Sequence, residues 1–313
     1  MTESSIPPGQ QQSGVWHPNR AASKRNELIV KVLTGAFAAI SILTTIGIIY
    51  SLIGETLRFF QQVPLWNFLF DTEWTPLFTN SRYGIGVLIS ATFLTSFIAL
   101  LVAVPLGILA AVCLSEYAPT GVRAWLKPAL EVLAGIPTVV FGYFALLFVT
   151  PILKAFIPGL QTFNGLSAGL ILGIALLPTI ASLSEDAIYA VPSSLRQGSY
   201  ALGATKRETI TSVVLPAALS GIVASIVLGV ARAVGETMIV TLAAGQNPNL
   251  TLDPRVAIQT MTSFIVQVAG GDIAVGTLKY DTLFVVGTTL FLITLALNIF
   301  SFWFVRKYQE KYE

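Results

Sequence analysis

Charge is what this chain is short of. Only 11% of its 313 residues are Asp, Glu, Lys or Arg, against 54% hydrophobic. Soluble domains carry about 25% charged residues, because charge keeps a folded surface wet. A chain this poor in charge cannot cover itself with polar groups, and bilayer is the solvent its exterior suits. A net charge of +2 gives no reason to expect nucleic acid. One cysteine, Cys113, lies in an apolar run, and one histidine, His17, lies near the N-terminus. With one of each, no intramolecular disulfide and no soft-ligand metal cluster is expected. No G-x-x-x-x-G-K-[ST] phosphate loop occurs, so the chain is not expected to hydrolyse ATP itself. Nor is there a His- or carboxylate-rich constellation of the kind a membrane enzyme needs.

What is present is a series of long apolar blocks. A helix needs about 20 apolar residues to cross the hydrocarbon, and barrels show short alternating segments instead. The blocks predict six transmembrane helices: Leu28–Ile53, Ile85–Leu114, Leu130–Val149, Leu166–Leu183, Ala217–Ala244 and Thr282–Val305. The fold class is therefore an all-α integral membrane protein. Residues 1–27, rich in Ser, Pro, Gln and charge, read as a disordered tail. Residues 28–84 hold a retained first span and an outer loop, residues 85–305 the transmembrane core, and residues 306–313 a second tail.

Basic residues orient the spans. With the N-terminus inside, the inner segments hold Arg20, Lys24, Arg25, Lys31, Arg123, Lys127, Arg196, Lys206, Arg207, Arg306, Lys307 and Lys311; the outer ones hold only Arg58, Arg82, Lys154, Arg255 and Lys279. That balance puts both termini in the cytoplasm. Trp66 and Trp74 in the outer loop suit an interfacial position, and Thr260, Met261 and Thr262 are candidates to face an external docking protein. Gly169 and Gly173, four apart, suit close helix packing.

The inner loop 184–216 is the most informative stretch. Ser184–Ala190 prolongs the fourth span, Ser193 and Ser194 are candidate caps for a helix over residues 194–202, and Gly203 is placed to end it. A second amphipathic helix runs from Thr205 to Leu215-Pro216, with Ile210, Val213 and Val214 on one side. Spacing alone leaves two readings open, a loop lying along the membrane or a helix pair docking into a groove on another protein. The run resembles the signature loop of ABC importer permeases. Gln197-Gly198-Ser199 stand where that family has Glu-Ala-Ala, and Ala201-Leu202-Gly203-Ala204-Thr205 and Leu215-Pro216 follow at the family's intervals. The departure at Gln197 and Gly198 removes the acidic residue. The resemblance implies a type I importer (MetI-like) permease fold, with this loop as the coupling segment seated on a separate ATPase.

In the fifth block stands Arg232, roughly 23 Å along a helix starting at Ala217, at 1.5 Å per residue. An Arg at membrane depth costs about 2.5–3.5 kcal/mol on insertion scales, so it must face protein or water. Glu236 lies four residues on, where the same helical face would let the two meet. The pair reads either as a buried ion pair that fixes packing or as a charged lining of a transport path. Guanidinium donors match phosphate oxygens, with Glu236 keeping the anion from binding too tightly.

The string Arg232-Ala233-Val234-Gly235-Glu236-Thr237-Met238, with Gly135-Ile136-Pro137-Thr138 through Gly142, resembles the phosphate-specific members of the permease family; Trp74-Thr75-Pro76 and Tyr83-Gly84-Ile85 resemble the PstC type of subunit rather than the PstA type. The resemblance implies a bacterial inner-membrane phosphate importer. Its partners would be a homologous PstA-like permease, two PstB-like ATP-binding subunits that use ATP and Mg, and an extracytoplasmic PstS-like phosphate-binding protein. No cofactor is expected on this chain. A permease for molybdate or sulfate, or a channel working alone, is the alternative.

Overall fold

The computed structural model describes residues 20–308. The chain divides into two units, Met1–Ser51 and Leu52–Glu313. His17, Lys311 and most of the two expected tails lie outside the described residues. Within the first unit, helix α1 (Arg20–Phe60) already begins at Arg20, inside the stretch expected to be a tail. Every described side chain from Glu27 to Ile48 on it is exposed, and they are overwhelmingly apolar. A helix apolar on all faces suits lipid rather than water.

The second unit takes over α1 at Leu52 and adds α2 (Leu65–Phe70), α3 (Gly86–Val112) and α4 (Thr120–Ala134). Next come α5 (Thr138–Phe144), α6 (Thr150–Phe156) and α7 (Gly165–Tyr189). The loop contributes α8 (Ser193–Ala201), α9 (Lys206–Thr209) and α10 (Leu215–Ala217). The chain closes with α11 (Leu219–Val234), α12 (Met238–Ala243), α13 (Met261–Ala269) and α14 (Leu278–Tyr308). Wide five-residue turns at Ala145–Val149 and Ile210–Val214 carry helices on without a break, and a third, Cys113–Tyr117, ends α3.

Among the described residues, five helical stretches are long and apolar enough to cross a membrane, and a sixth arises if the bent pair Lys206–Ala217 and Leu219–Val234, at 67°, is one span. Two of the six expected spans need correction. The third begins at Thr138, not Leu130, because Gly135-Ile136-Pro137 stops the preceding helix; Pro has no N–H to continue the ladder and pushes Ile136 out of the helical region. Leu130–Ala134 therefore belong to α4, an amphipathic helix with no buried residue. The fifth is not continuous over Ala217–Ala244. It stops at Val234, about 24 Å long against roughly 30 Å of hydrocarbon, and restarts as α12.

Helices α3 and α7 form the centre of the unit, and glycine sets their separation. A Cβ on Gly173 would stand 2.7 Å from the Ala99 carbonyl oxygen, and one on Gly169 would stand 2.7 Å from Ile98. The expected small-residue seam is thus a backbone-to-backbone contact. The central core gathers Ala99, Ala103, Leu172, Leu176, Ile180, Ile239 and Val240. At one end, Trp74 and Phe264 meet edge to face at 5.0 Å within a second cluster. Trp74 is 1% exposed, so of the two expected interfacial tryptophans only Trp66 is exposed. At the opposite end, Ala111, Ile188, Val191, Val214, Ala218 and Ile222 close a third cluster beneath the loop.

Residues 245–281, between the fifth and sixth apolar blocks, carry a helix of their own. They include α13, whose Met261 is fully buried and donates its amide to Thr92 Oγ1 at 3.0 Å. Thr260 and Thr262 are buried beside it. These three residues support the core and do not face outward. The run is polar because its hydroxyls cap and cross-link α13: Thr260 Oγ1 accepts from the Ser263 amide at 3.2 Å.

Candidate functional site

Arg232 occupies the last turn of α11, half-buried. Gly235 caps that helix in a flat αR conformation, and the chain turns before Met238. The break separates the faces that a continuous helix would have aligned. Among the described residues no ion pair involves Arg232, so the expected Arg232–Glu236 pair is not formed. Arg232 Nη1 donates to Thr179 Oγ1 at 2.6 Å. Thr179 follows Pro178 within α7.

Glu236 takes a different part. Its Oε1 accepts from the Met238 amide at 3.1 Å and the Ile239 amide at 3.4 Å, satisfying donors that open α12. Its backbone oxygen accepts from Thr262 Oγ1 at 2.6 Å, fixing the break to α13. Both capping bonds fall on Oε1, and the side chain is half-buried. Arg232 and Glu236 are thus held separately, each by a neighbour of its own. A guanidinium offers five donors, of which one is committed to Thr179; the rest suit an anion.

The loop is preformed. Gly203 has φ +84°, and around it the Gly203 amide donates to Tyr200 O at 3.0 Å and the Ala204 amide to Ser199 O at 3.2 Å. That pair of bonds is the glycine-terminated helix end in which only a residue free of Cβ strain sits comfortably. Thr205 then caps α9: its amide donates to Glu208 Oε2 at 2.8 Å while the Glu208 amide returns to Thr205 Oγ1 at 3.4 Å. These bonds hold the Glu208 carboxyl below its ordinary 4.5, the Thr205 amide most and the Thr205 hydroxyl next. Ser199 Oγ and Thr209 Oγ1 join the two helices at 2.8 Å. The expected Ser193 and Ser194 cap is absent; Pro192 takes the capping position with no side-chain bond, and α8 begins at Ser193.

The fold brings the loop residues to one exposed apex. Gln197, Ala201, Leu202, Gly203 and Thr205 are exposed and Ala204 half-exposed. Leu202 is 91% exposed, an uncovered leucine at the tip of a rigid turn. Leu215 instead packs beneath the loop, with Pro216 exposed beside it.

Three features escaped sequence reasoning. Thr179 lies far from Arg232 in sequence, and no local pattern links them. Glu185, 1% exposed in α7, receives Arg123 and, at 2.7 Å, Lys127; Lys127 also reaches Asp186 at 2.8 Å. Hydrogen bonds to Asp186 first and Glu185 second hold the Lys127 ammonium above its usual 10.5. An acid in the last turn of an apolar helix, and Arg123 and Lys127 four apart, were signals of this cluster. Arg196 pairs with Glu116 at 2.8 Å.

A family model described as binding-protein-dependent transport system inner membrane component matches residues 103–312. The chain is 36% identical over 223 residues to the probable ABC transporter permease protein YqgH of Bacillus subtilis, covering 71% of this chain and 72% of that protein. It is 32% identical to the phosphate transport system permease protein PstC of Haemophilus influenzae, covering 91% and 94%. Its fold matches a chain of a bacterial alginate ABC transporter with a TM-score of 0.63 at 18% identity, over 94% of this chain and 99% of that one. A chain of the MetNI methionine ABC transporter gives 0.53 at 19% identity, over 72% and 95%. An apolar helical bundle, a broken span and a preformed exposed loop stand here in a chain that belongs to the family of binding-protein-dependent transport system inner membrane components, in the group that includes the PstC permeases.

Proposed function

We propose that this chain is the permease subunit of an ATP-driven importer of inorganic phosphate, forming one half of the translocation path and taking its power from a separate ATPase. The observation that carries the reading is Arg232. It is a half-buried guanidinium on a span, held by a neutral hydroxyl rather than a carboxylate, in a chain that is similar to PstC proteins over most of its length. A charge at that depth is costly unless it faces water or a ligand, and planar donors match phosphate oxygens.

Glu236 supplies selectivity in this reading. Phosphate at neutral pH keeps an O–H and sulfate does not. With Oε1 occupied by amides, Oε2 can accept from the phosphate O–H and repel a fully ionised anion.

The exposed apex at Gln197, Ala201, Leu202, Gly203, Ala204 and Thr205, braced by Leu215 and Pro216, would seat in the ATPase. The partners proposed are a homologous PstA-like permease, two PstB-like ATP-binding subunits that use ATP and Mg, and a PstS-like phosphate-binding protein outside. The location proposed is the bacterial inner membrane, with both termini and the loop in the cytoplasm, following the balance of basic residues. Purification in mild detergent tests the reading. A second permease and an ATPase should co-purify, and ATP-dependent phosphate uptake should resist excess sulfate and molybdate. Uptake of either competitor in preference to phosphate would instead assign the path to another oxyanion.

A further inference from the structure

The loop meets the transmembrane bundle through the apolar cluster in which Leu195 and Leu215 pack, and through one charged side chain that reaches two helix ends. Arg196, in the first turn of α8, is 19% exposed. Its Nη2 and Nε both reach Glu116 Oε1, at 2.8 and 3.2 Å, and Glu116 is 8% exposed in the wide turn that ends α3. The same guanidinium donates to the carbonyls of Ile188, at 2.9 Å, and Val191, where α7 ends. One side chain on α8 thus holds the ends of both α3 and α7.

A second contact falls on the same turn: Lys206 Nζ, at the start of α9, stands 4.7 Å from the centre of the Tyr117 ring. The helices at the far side of Arg196 pack closely on one another. Gly173 lies within backbone contact of Ala99, and a Cβ on Gly107 would stand 2.8 Å from Ile180. Packed interiors of this kind transmit displacement instead of absorbing it. Further along α7, Thr179 holds Arg232.

We infer that Arg196, anchored on Glu116, is the joint through which the loop moves α3 and α7 as one body, and so carries ATPase motion to the helix that holds Arg232. The inference rests on the proposed docking of the loop on an ATPase. Arg196 is a positioning residue here; it contacts neither phosphate nor nucleotide. Lysine is a poor replacement, because one ammonium cannot span a carboxylate and two carbonyls on separate helices in the way a planar fork does.

The test uses the assembled complex in proteoliposomes and reads phosphate imported per ATP hydrolysed, together with the amount of ATPase that remains bound. Arg196→Gln and Glu116→Gln should retain the ATPase and hydrolyse ATP while the ratio falls roughly twofold to thirtyfold, the span of couplings carried by such networks. Arg196→Lys should lie between them and the parent. The double variant Glu116→Gln/Arg196→Gln should be no worse than the poorer single, since both remove one contact. A parental ratio in either glutamine variant, or losses that simply multiply in the double, would overturn the inference. If Arg196→Gln does not accumulate, Glu116→Gln and Arg196→Lys decide on the same criteria. Release of the ATPase by Gly203→Val, with an unchanged ratio in the Arg196 variants, would sink the joint and leave the docking reading standing.

Discussion

Arg232 and Thr179 meet at 2.6 Å across two different helices, and this bond replaces the ion pair that the spacing of Arg232 and Glu236 suggests. A hydroxyl orients a guanidinium without neutralising it. The positive charge therefore stays available to a passing anion, and the neighbouring carboxylate is free to hold the helix break. Thr179→Val keeps the shape and removes the oxygen. Loss of one hydrogen bond to a charged group is worth about 1.5–3 kcal/mol, and the expected result is weakened phosphate uptake with parental assembly, read as initial rate against phosphate concentration.

Glu236 caps α12 through the amides of Met238 and Ile239. Glu236→Gln keeps an oxygen for the cap and loses the charge, so the complex should assemble while discrimination against sulfate relaxes. Glu236→Ala loses the cap as well, about 1 kcal/mol, and should lower both uptake and thermal stability. Competition of labelled phosphate uptake by sulfate, with melting in detergent, separates the two variants.

Gly203 sits at φ +84° at the exposed end of α8. A β-branched residue there costs about 1–2 kcal/mol in backbone strain and would distort the Leu202 apex. Gly203→Val should release the ATPase or uncouple hydrolysis from transport while the bundle remains folded. Co-purification and ATPase assay read this directly.

Gly173 lets α3 and α7 touch backbone to backbone, with no room for a Cβ beside the Ala99 carbonyl. Gly173→Ala should cost about 1–3 kcal/mol through overpacking and lower the melting temperature. Gly198→Ala, at a helical glycine whose Cβ would meet nothing, should not lower it.

The loop cap also has a pH signature. The Glu208 carboxyl is depressed below its ordinary 4.5 by the Thr205 amide and hydroxyl. A depressed acid contributes stability that is present above its unfolded value and is lost as pH falls through its folded one. Protection of the Thr205 and Glu208 amides from hydrogen exchange, after correction for intrinsic rates, should therefore hold steady above pH 4.5 and drop below it. Glu208→Gln, which removes the titrating group and keeps an oxygen for the Thr205 amide, should abolish that step.

Much of this architecture is legible in sequence because membrane helices are written in long apolar runs, and the bilayer permits few alternatives. The loop was legible for a different reason: Gly203 marks a helix end through local bonds alone, and the helix start read at Thr205 is fixed by a bond to Glu208 that the reading did not use. Errors arose where tertiary contacts overrode continuity of composition. Ala217–Ala244 is apolar enough for one helix, yet the bonds from Glu236 and Thr262 that stabilise the break at Gly235 come from the folded neighbourhood. Leu130–Ala134 reads as span because α4 is apolar outward, while its Arg123 and Lys127 turn inward to Glu185. Met261 reads as loop because its buried position depends on Thr92, far along the chain.

The most direct measurement is phosphate uptake into proteoliposomes holding the purified complex, with the nucleotide and subunit composition varied one at a time. Uptake should require ATP, the ATPase and the second permease together, and should be abolished by Arg232→Gln in a complex that still assembles. Phosphate movement by this chain alone, or parental uptake by the Arg232→Gln complex, would contradict the mechanism.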